Sequence, residues 1–327
     1  MTRRRWLGAA AAVVAVTVFA IIAAHYSRDI SAARARIASG ARTVATACGP
    51  IEYAEAGTGP SLLVVHGAGG GFDQGMDFFA GLPQRGFRVI AVSRFGYLGT
   101  PLPADASAAA QARAHACLLD ALGIRATAIA GGSAGAPSAT EFALLFPDRT
   151  THLVLLVPAL YVPRPGGAAP VTTPPGTQML FDTALRSDFL FWAAIRAAPD
   201  LVTRALLATP PAVVDAASAD ERARVRRIME HILPVAPRRL GLLNDAAVTS
   251  SLPRYELERI TAPTLVVTAR DDLFGTWDSA EYTARHIPGA RLIGHERGGH
   301  LLVGHEAEQL EAIDAFLRGG KLPQSER

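Results

Sequence analysis

The stretch Ala130-Gly131-Gly132-Ser133-Ala134-Gly135 governs how the rest of the chain is read. An apolar run over residues 126–130 leads into it, and an apolar run that ends at Pro147 follows it. That pattern predicts a strand that turns into a helix within one bend. Such a bend holds the serine hydroxyl clear of the sheet in a strained backbone conformation. It also crowds the residues two before and two after, and glycine at 131 and 135 relieves the crowding. Taken alone, the pentapeptide is equally a plain glycine-rich turn, so the surroundings must decide.

The chain has 327 residues, half of them hydrophobic, enough for one sizeable core carrying a large insertion. Its net charge of +3 comes from arginines that cluster only at the N-terminus, which leaves no nucleic-acid footprint. Two cysteines cannot build a zinc knuckle, and no metal-type Cys/His spacing occurs, so no metal is expected; the serine chemistry read below implies no organic cofactor either. In an oxidising compartment Cys48 and Cys117 are able to pair; the alternative is two separate packed thiols.

Thr2-Arg3-Arg4-Arg5-Trp6-Leu7 opens a segment whose residues 7–24 are uncharged. Three arginines before a long apolar run read as a signal anchor or a signal peptide. Ile22-Ala23-Ala24 fits an A-x-A cleavage site poorly, which favours an uncleaved, single-pass anchor in the cell membrane. Arg28, Arg34, Arg36 and Arg42 after the span nearly balance the positive-inside count, and the body is expected outside the cytoplasm as a separate hypothesis. Secretion or periplasmic release after cleavage is the alternative. Residues 25–45 read as an Ala/Arg-rich stalk.

Beyond the stalk, apolar runs at 51–56, 62–65, 87–92, 126–130 and 152–157 alternate with helical patterns at 107–122 and 134–146. Near-continuous apolar strands flanked by helices indicate a buried parallel sheet. The alternation breaks at 158–176, rich in Pro and Gly, and residues 177–250 carry helical patterns only. Strands return at 264–268 and 290–293, before a last helix that places Leu310, Ile313 and Leu317 on one face. The expected organisation is an anchor or signal over 1–24, a stalk over 25–45, a core over 46–158 and 251–320, a helical cap over 159–250, and a tail over 321–327.

Three further motifs fall at strand ends, where ligands of such sheets bind. His66-Gly67-Ala68-Gly69-Gly70-Gly71 follows the strand at 62–65; Thr268-Ala269-Arg270-Asp271-Asp272 follows the strand at 264–268; Gly298-Gly299-His300 precedes the last helix. The order is serine, acid, histidine. A serine hydroxyl is a poor nucleophile until a neutral imidazole takes its proton, and a carboxylate fixes the imidazole tautomer. Backbone N–H groups of the glycine loop and of Ala134 would hold a developing oxyanion. A dinucleotide-binding loop is disfavoured because the sixth position from Gly67 is Phe72.

From residue 50 to 318 the chain resembles an α/β-hydrolase of the cap-bearing esterase and C–C hydrolase (meta-cleavage product hydrolase) branch. The resemblance rests on these motifs and on Ser93-Arg94-Phe95-Gly96-Tyr97-Leu98-Gly99-Thr100. It implies an α/β fold: a mostly parallel, eight-stranded-type sheet with helices on both faces and a helical cap. It also implies Ala68 and Ala134 as oxyanion donors, and by its G-x-x-D pattern it selects Asp272 over Asp271 as the acid. Ser93 stands where the family commonly has Asp, Ala269 where it has Gly, and Leu273-Phe274-Gly275 where a Pro often follows the acid.

The expected catalytic set is therefore Ser133, Asp272 and His300, with His66 structural and His295 and His305 the rejected neighbours. Gly69, Arg94, Phe189 and Trp192 are candidate substrate contacts, and Met179, Phe181 and Phe191 extend the apolar stripe of the insert. The expected function is hydrolysis of a carboxylic ester of a small to medium apolar molecule through an acyl-enzyme. The partners expected are that substrate and the membrane, and no nucleic acid. Two rival readings stand beside it: a C–C bond hydrolase, in which Arg94 or Arg270 would meet a substrate carboxylate, and a membrane-tethered, non-catalytic binding protein.

Overall fold

The computed structural model describes residues 2–163 and 185–320. Met179 and Phe181 lie outside the described residues. Among the described residues eight strands form one sheet in the order β1-β2-β4-β3-β5-β6-β7-β8. These are β1 (Arg42–Thr46), β2 (Gly49–Ala56), β3 (Ser61–Val65), β4 (Arg88–Val92), β5 (Thr127–Gly132), β6 (Thr150–Leu156), β7 (Thr264–Ala269) and β8 (Arg291–His295). The β1/β2 and β2/β4 pairs are antiparallel; every pair from β4/β3 to β7/β8 is parallel. The central strands are apolar on both faces because both faces are covered. Leu63 and Val65 of β3 join one core cluster, and Leu62 and Val64 join the other.

Helix α1 (Thr2–Ser39) precedes the sheet. The first cluster packs under α3 (Ala108–Ala121), α4 (Ala136–Leu145) and α10 (Thr276–His286); the second packs under α2 (Phe72–Phe78) and α11 (Glu306–Leu317). Between β6 and β7 the insert contributes α5 (Asp188–Ala197), α6 (Pro199–Ala205), α7 (Pro211–Asp215), α8 (Ala219–His231) and α9 (Arg239–Ser250). Serine caps start α3, α5 and α8: Ser107, Ser187 and Ser218 each accept from the amide three residues on. A third cluster, with Phe191, Trp192, Val225 and Ile228, is the insert's own core.

The N-terminal region departs from the expected stalk. Residues 25–39 continue α1 without a break, and Arg42–Thr46 is an edge strand of the sheet. Alanine and arginine are strong helix formers, so the end of the apolar run does not end the helix. Ile30 and Ala33 are buried in the insert's core, and Tyr26 packs its ring 5.2 Å from Phe189 and 5.5 Å from Trp192. The segment Trp6–Ser39 contains a stretch long and apolar enough to cross a membrane, none of it buried against the body.

The sulfurs of Cys48 and Cys117 are bonded, with Cα atoms 6.0 Å apart, and join the β1–β2 turn to α3. Two separate thiols, the other arrangement open to the sequence, are not what the structure contains.

Candidate active site

Ser133 sits directly after β5 with φ of 49°, a conformation that L residues adopt only under constraint. The constraint is close packing on both sides. A Cβ at Gly135 would lie 2.5 Å from the carbonyl oxygens of Val65 and His66, and one at Gly131 would lie 2.7 Å from the Ala139 methyl. Glycine is therefore required at both positions. A short 3-10 turn, Ser133–Gly135, leads into α4, and its first amides have no intrahelical acceptor. The Ala134 N–H is one of them.

The imidazole of His300 joins two loops. Its Nε2 lies 2.8 Å from Ser133 Oγ, and its Nδ1 lies 2.7 Å from Asp272 Oδ2. Asp272 is buried, and its Oδ1 accepts the Phe274 amide at 2.8 Å while Oδ2 also accepts from the Thr276 hydroxyl. Asp271 turns away from the imidazole and accepts the Gly299 amide at 2.7 Å. The ring of Phe274 stands edge-on to His300, with centroids 4.9 Å apart.

One point on the insert braces both loops. The Ala208 carbonyl accepts from Leu273 N at 3.0 Å and from His300 N at 3.3 Å, and the buried Thr209 hydroxyl accepts from Leu301 N at 3.2 Å. Sequence reading missed this brace, because nothing local to Leu207-Ala208-Thr209 marks it.

The glycine loop beside Ser133 is tied at several atoms. Gly67 N donates to Gln74 Oε1 at 3.0 Å, Gly69 N to Tyr97 Oη at 3.2 Å, and Gly70 N to Gly67 O at 3.3 Å. The Ala68 amide has no such partner among the described residues, and Ala68 lines the cavity with Ser133. His66 is fully buried: its Nε2 accepts the Arg94 amide at 3.0 Å, so its Nδ1 donates to the Gly67 carbonyl at 2.7 Å. Burial first, and the Arg94 charge second, hold its pKa well below the usual histidine value. It is a neutral structural residue.

A cavity of about 160 Å³ opens on Ser133 and His300. Its walls are mostly apolar, with Phe78, Phe79, Leu156, Leu206, Leu310 and Ile313 among them, and Arg224, Arg227 and Glu306 also line it. The face formed by Leu310 and Ile313 was legible in the last helix; that it borders a cavity was not.

The four expected substrate contacts lie elsewhere. Arg94 is buried and forked onto Asp245, at 2.5 and 2.7 Å, with its remaining donors on the carbonyls of His66 and Gly67. Its charge is neutralised within the protein. Phe189 and Trp192 pack on Tyr26 of α1 instead of lining the cavity. Gly69 faces Ile232 and Leu242 of the insert. Arg270 stacks on Trp277 and pairs with Glu296, outside the cavity lining. Ser93 accepts the Phe72 amide at 3.1 Å and donates to Glu52 at 2.6 Å. The carboxylate at that corner is Glu52, on β2.

His295, His305 and Glu308 could offer metal-ligand atoms within 4.8 Å of one another. The rings of the two histidines are stacked 3.7 Å apart, and His305 is already engaged with Glu308 and the Arg297 carbonyl. The hydroxyl–imidazole–carboxylate row is able to move a proton from Ser133 without any such ion.

An alpha/beta hydrolase fold profile matches residues 60–306. The chain belongs to the α/β-hydrolase fold family. This hydrolase is 29% identical over 289 residues to the 2-hydroxy-6-oxononadienedioate/2-hydroxy-6-oxononatrienedioate hydrolase of Burkholderia vietnamiensis, covering 82% of this chain and 91% of that protein. A solved α/β-hydrolase fold protein from Nakamurella multipartita is 28% identical with a TM-score of 0.67, over 86% of this chain and all of that one. A solved membrane phospholipase A, 21% identical with a TM-score of 0.62, matches 97% of this chain and 99% of its own; at that identity the likeness is one of fold alone.

Proposed function

We propose that this hydrolase cleaves carboxylic esters of small to medium apolar groups through an acyl-enzyme on Ser133. The observation that carries the reading is the unbroken row from Ser133 Oγ to His300 to Asp272, at 2.8 and 2.7 Å, ending in an apolar cavity. Ser133 attacks the acyl carbon as His300 takes its proton; Asp272 orients the imidazole and stabilises the imidazolium. The Ala68 and Ala134 amides hold the oxyanion, each worth about 3 kcal/mol in such sites. His300 then protonates the leaving alcohol, and water repeats the sequence to free the acid. The cavity supports a small substrate, since a comparable engineered cavity of about 150 Å³ holds a benzene ring.

Labelling of the detergent-solubilised full chain with a fluorophosphonate, beside Ser133→Ala, tests this reading. Loss of label in the variant and hydrolysis of p-nitrophenyl esters by the parent are expected. Equal labelling of both proteins would remove Ser133 from the role.

A C–C hydrolase using the same three residues is the second reading. The name of the Burkholderia relative favours it, and Arg227, exposed at the cavity, offers a cation for a substrate carboxylate. Decay of the absorbance of a ring-fission dienoate would decide for it.

The apolar part of α1 we read as an uncleaved membrane anchor, with the body outside the cytoplasm. Support comes from the arginines before it and from the docking of residues 26–37 on the body, which makes the helix part of the fold. Protease added to spheroplasts should digest the body; complete protection would refute the orientation.

A further inference from the structure

A chain of charges runs from α1 to the loop beside Ser133. Arg36, near the end of α1, places its Nε 3.4 Å from Asp73 Oδ2 and donates from Nη2 to the carbonyls of His231 at 3.2 Å and Leu233 at 2.5 Å. Asp73, buried in the first turn of α2, is also forked onto Arg238 at 3.0 and 2.7 Å. The Arg238 side chain is wholly buried, and its Nη1 donates to the Gly70 carbonyl at 2.6 Å. Beside Asp73, Gln74 accepts the Gly67 amide at 3.0 Å. Both ends of the loop 67–70, which carries Ala68, are therefore held by residues 73, 74 and 238.

We propose that Arg36 is a positioning residue for this loop, acting through Asp73 and Arg238. The proposal rests on the oxyanion role given to Ala68 above. Arg36 bridges three parts of the protein: α1, α2, and the connection after α8 from which Arg238 projects. Without it, the carbonyls of His231 and Leu233 lose their donor, and a buried carboxylate loses one of its two cations. The Asp73–Arg238 pair keeps its charge balance but loses the brace that fixes where it sits. The Gly70 carbonyl moves with Arg238, and a displacement of about 1 Å in a catalytic group costs of order 100-fold in rate. Arg36 is itself a quarter exposed, so its removal leaves no wholly buried hole.

The test compares the full chain in detergent as parent, Arg36→Met and Arg36→Lys. Arg36→Met should lower kcat and the fluorophosphonate labelling rate by roughly 10-fold or more, with KM within about two-fold. Amide exchange over residues 67–74 should quicken, while thermal unfolding stays cooperative. Arg36→Lys restores the charge beside Asp73 and should recover part of each loss. If Arg36→Met does not fold, Arg36→Gln takes its place in the same comparison. A folded variant with parental exchange over 67–74 would overturn the proposal, as would a kcat loss no larger than the unfolded fraction. A parent that neither labels nor hydrolyses esters would sink the catalytic reading instead, and the exchange comparison would still decide the positioning.

Discussion

Asp271 accepts the amide of Gly299 at 2.7 Å, and so holds the turn that delivers the histidine loop. Its neighbour Asp272 faces the imidazole itself. Two adjacent carboxylates thus do different work, one on backbone and one on the ring. Asp272→Asn should lower kcat by about 10⁴-fold, because the amide supports the wrong imidazole tautomer. Asp271→Asn keeps an acceptor for Gly299 and should cost roughly 10-fold or less. Equal losses in the two variants would contradict this division.

Leu310 forms part of the cavity wall and packs directly against Gly81. For straight-chain p-nitrophenyl esters, kcat/KM should rise about four-fold per methylene, from about 0.8 kcal/mol each, until the cavity is full. Leu310→Ala should move the preferred chain to greater length, and Leu310→Trp to shorter. A chain-length profile identical in all three proteins would show that the acyl group binds elsewhere.

His115 is fully buried, with Nε2 3.3 Å from the Ser138 hydroxyl and Nδ1 without a partner among the described residues. Burial, then the Arg94 charge, push its pKa down to about 3 from the usual 6.5. The native ring stays neutral where the unfolded ring takes a proton. Stability from this site is therefore complete above pH 6.5 and falls as pH drops from there toward 3, by about 1.4 kcal/mol per unit. His115→Gln should flatten the acid side of a plot of urea unfolding free energy against pH. An unchanged slope between pH 6 and 4.5 would mean that His115 is not the group responsible.

The Cys48–Cys117 bond closes a 69-residue separation. A cross-link of this kind typically stabilises by about 2–4 kcal/mol. Exported protein should show no thiol available to alkylation before reduction, and Cys48→Ser should lower the unfolding midpoint. Two alkylated cysteines in unreduced, exported protein would argue against the bond.

Much of the site was legible because its signals are local. Gly131 is required by contact within its own strand–turn–helix and Gly135 by the β3 carbonyls beside it, but both sit at a fixed spacing from Ser133, and His300 follows two glycines at positive φ. The partners of Arg94 and Trp192 were not legible, because each meets a residue far along the chain, Asp245 and Asp29; the Cys48–Cys117 pair was one of two arrangements open to the sequence. An arginine beside a strand end reads the same whether it awaits a substrate carboxylate or is already neutralised. An aromatic stripe reads the same whether it faces a cavity or another helix.

The sequence by itself determined the α/β alternation, the helical interruption, the apolar N-terminal run and the strand ends that carry Ser133, Asp272 and His300. These follow from apolar period and from glycine placement, which act over a few residues. Tertiary structure alone decided that α1 runs on to Ser39 and docks on the insert, that Ala208 braces the two loops, and that Phe78, Phe79 and Leu310 wall the cavity. Those outcomes depend on which surfaces close-pack against each other. Apolar period records that a face is buried, but not what covers it.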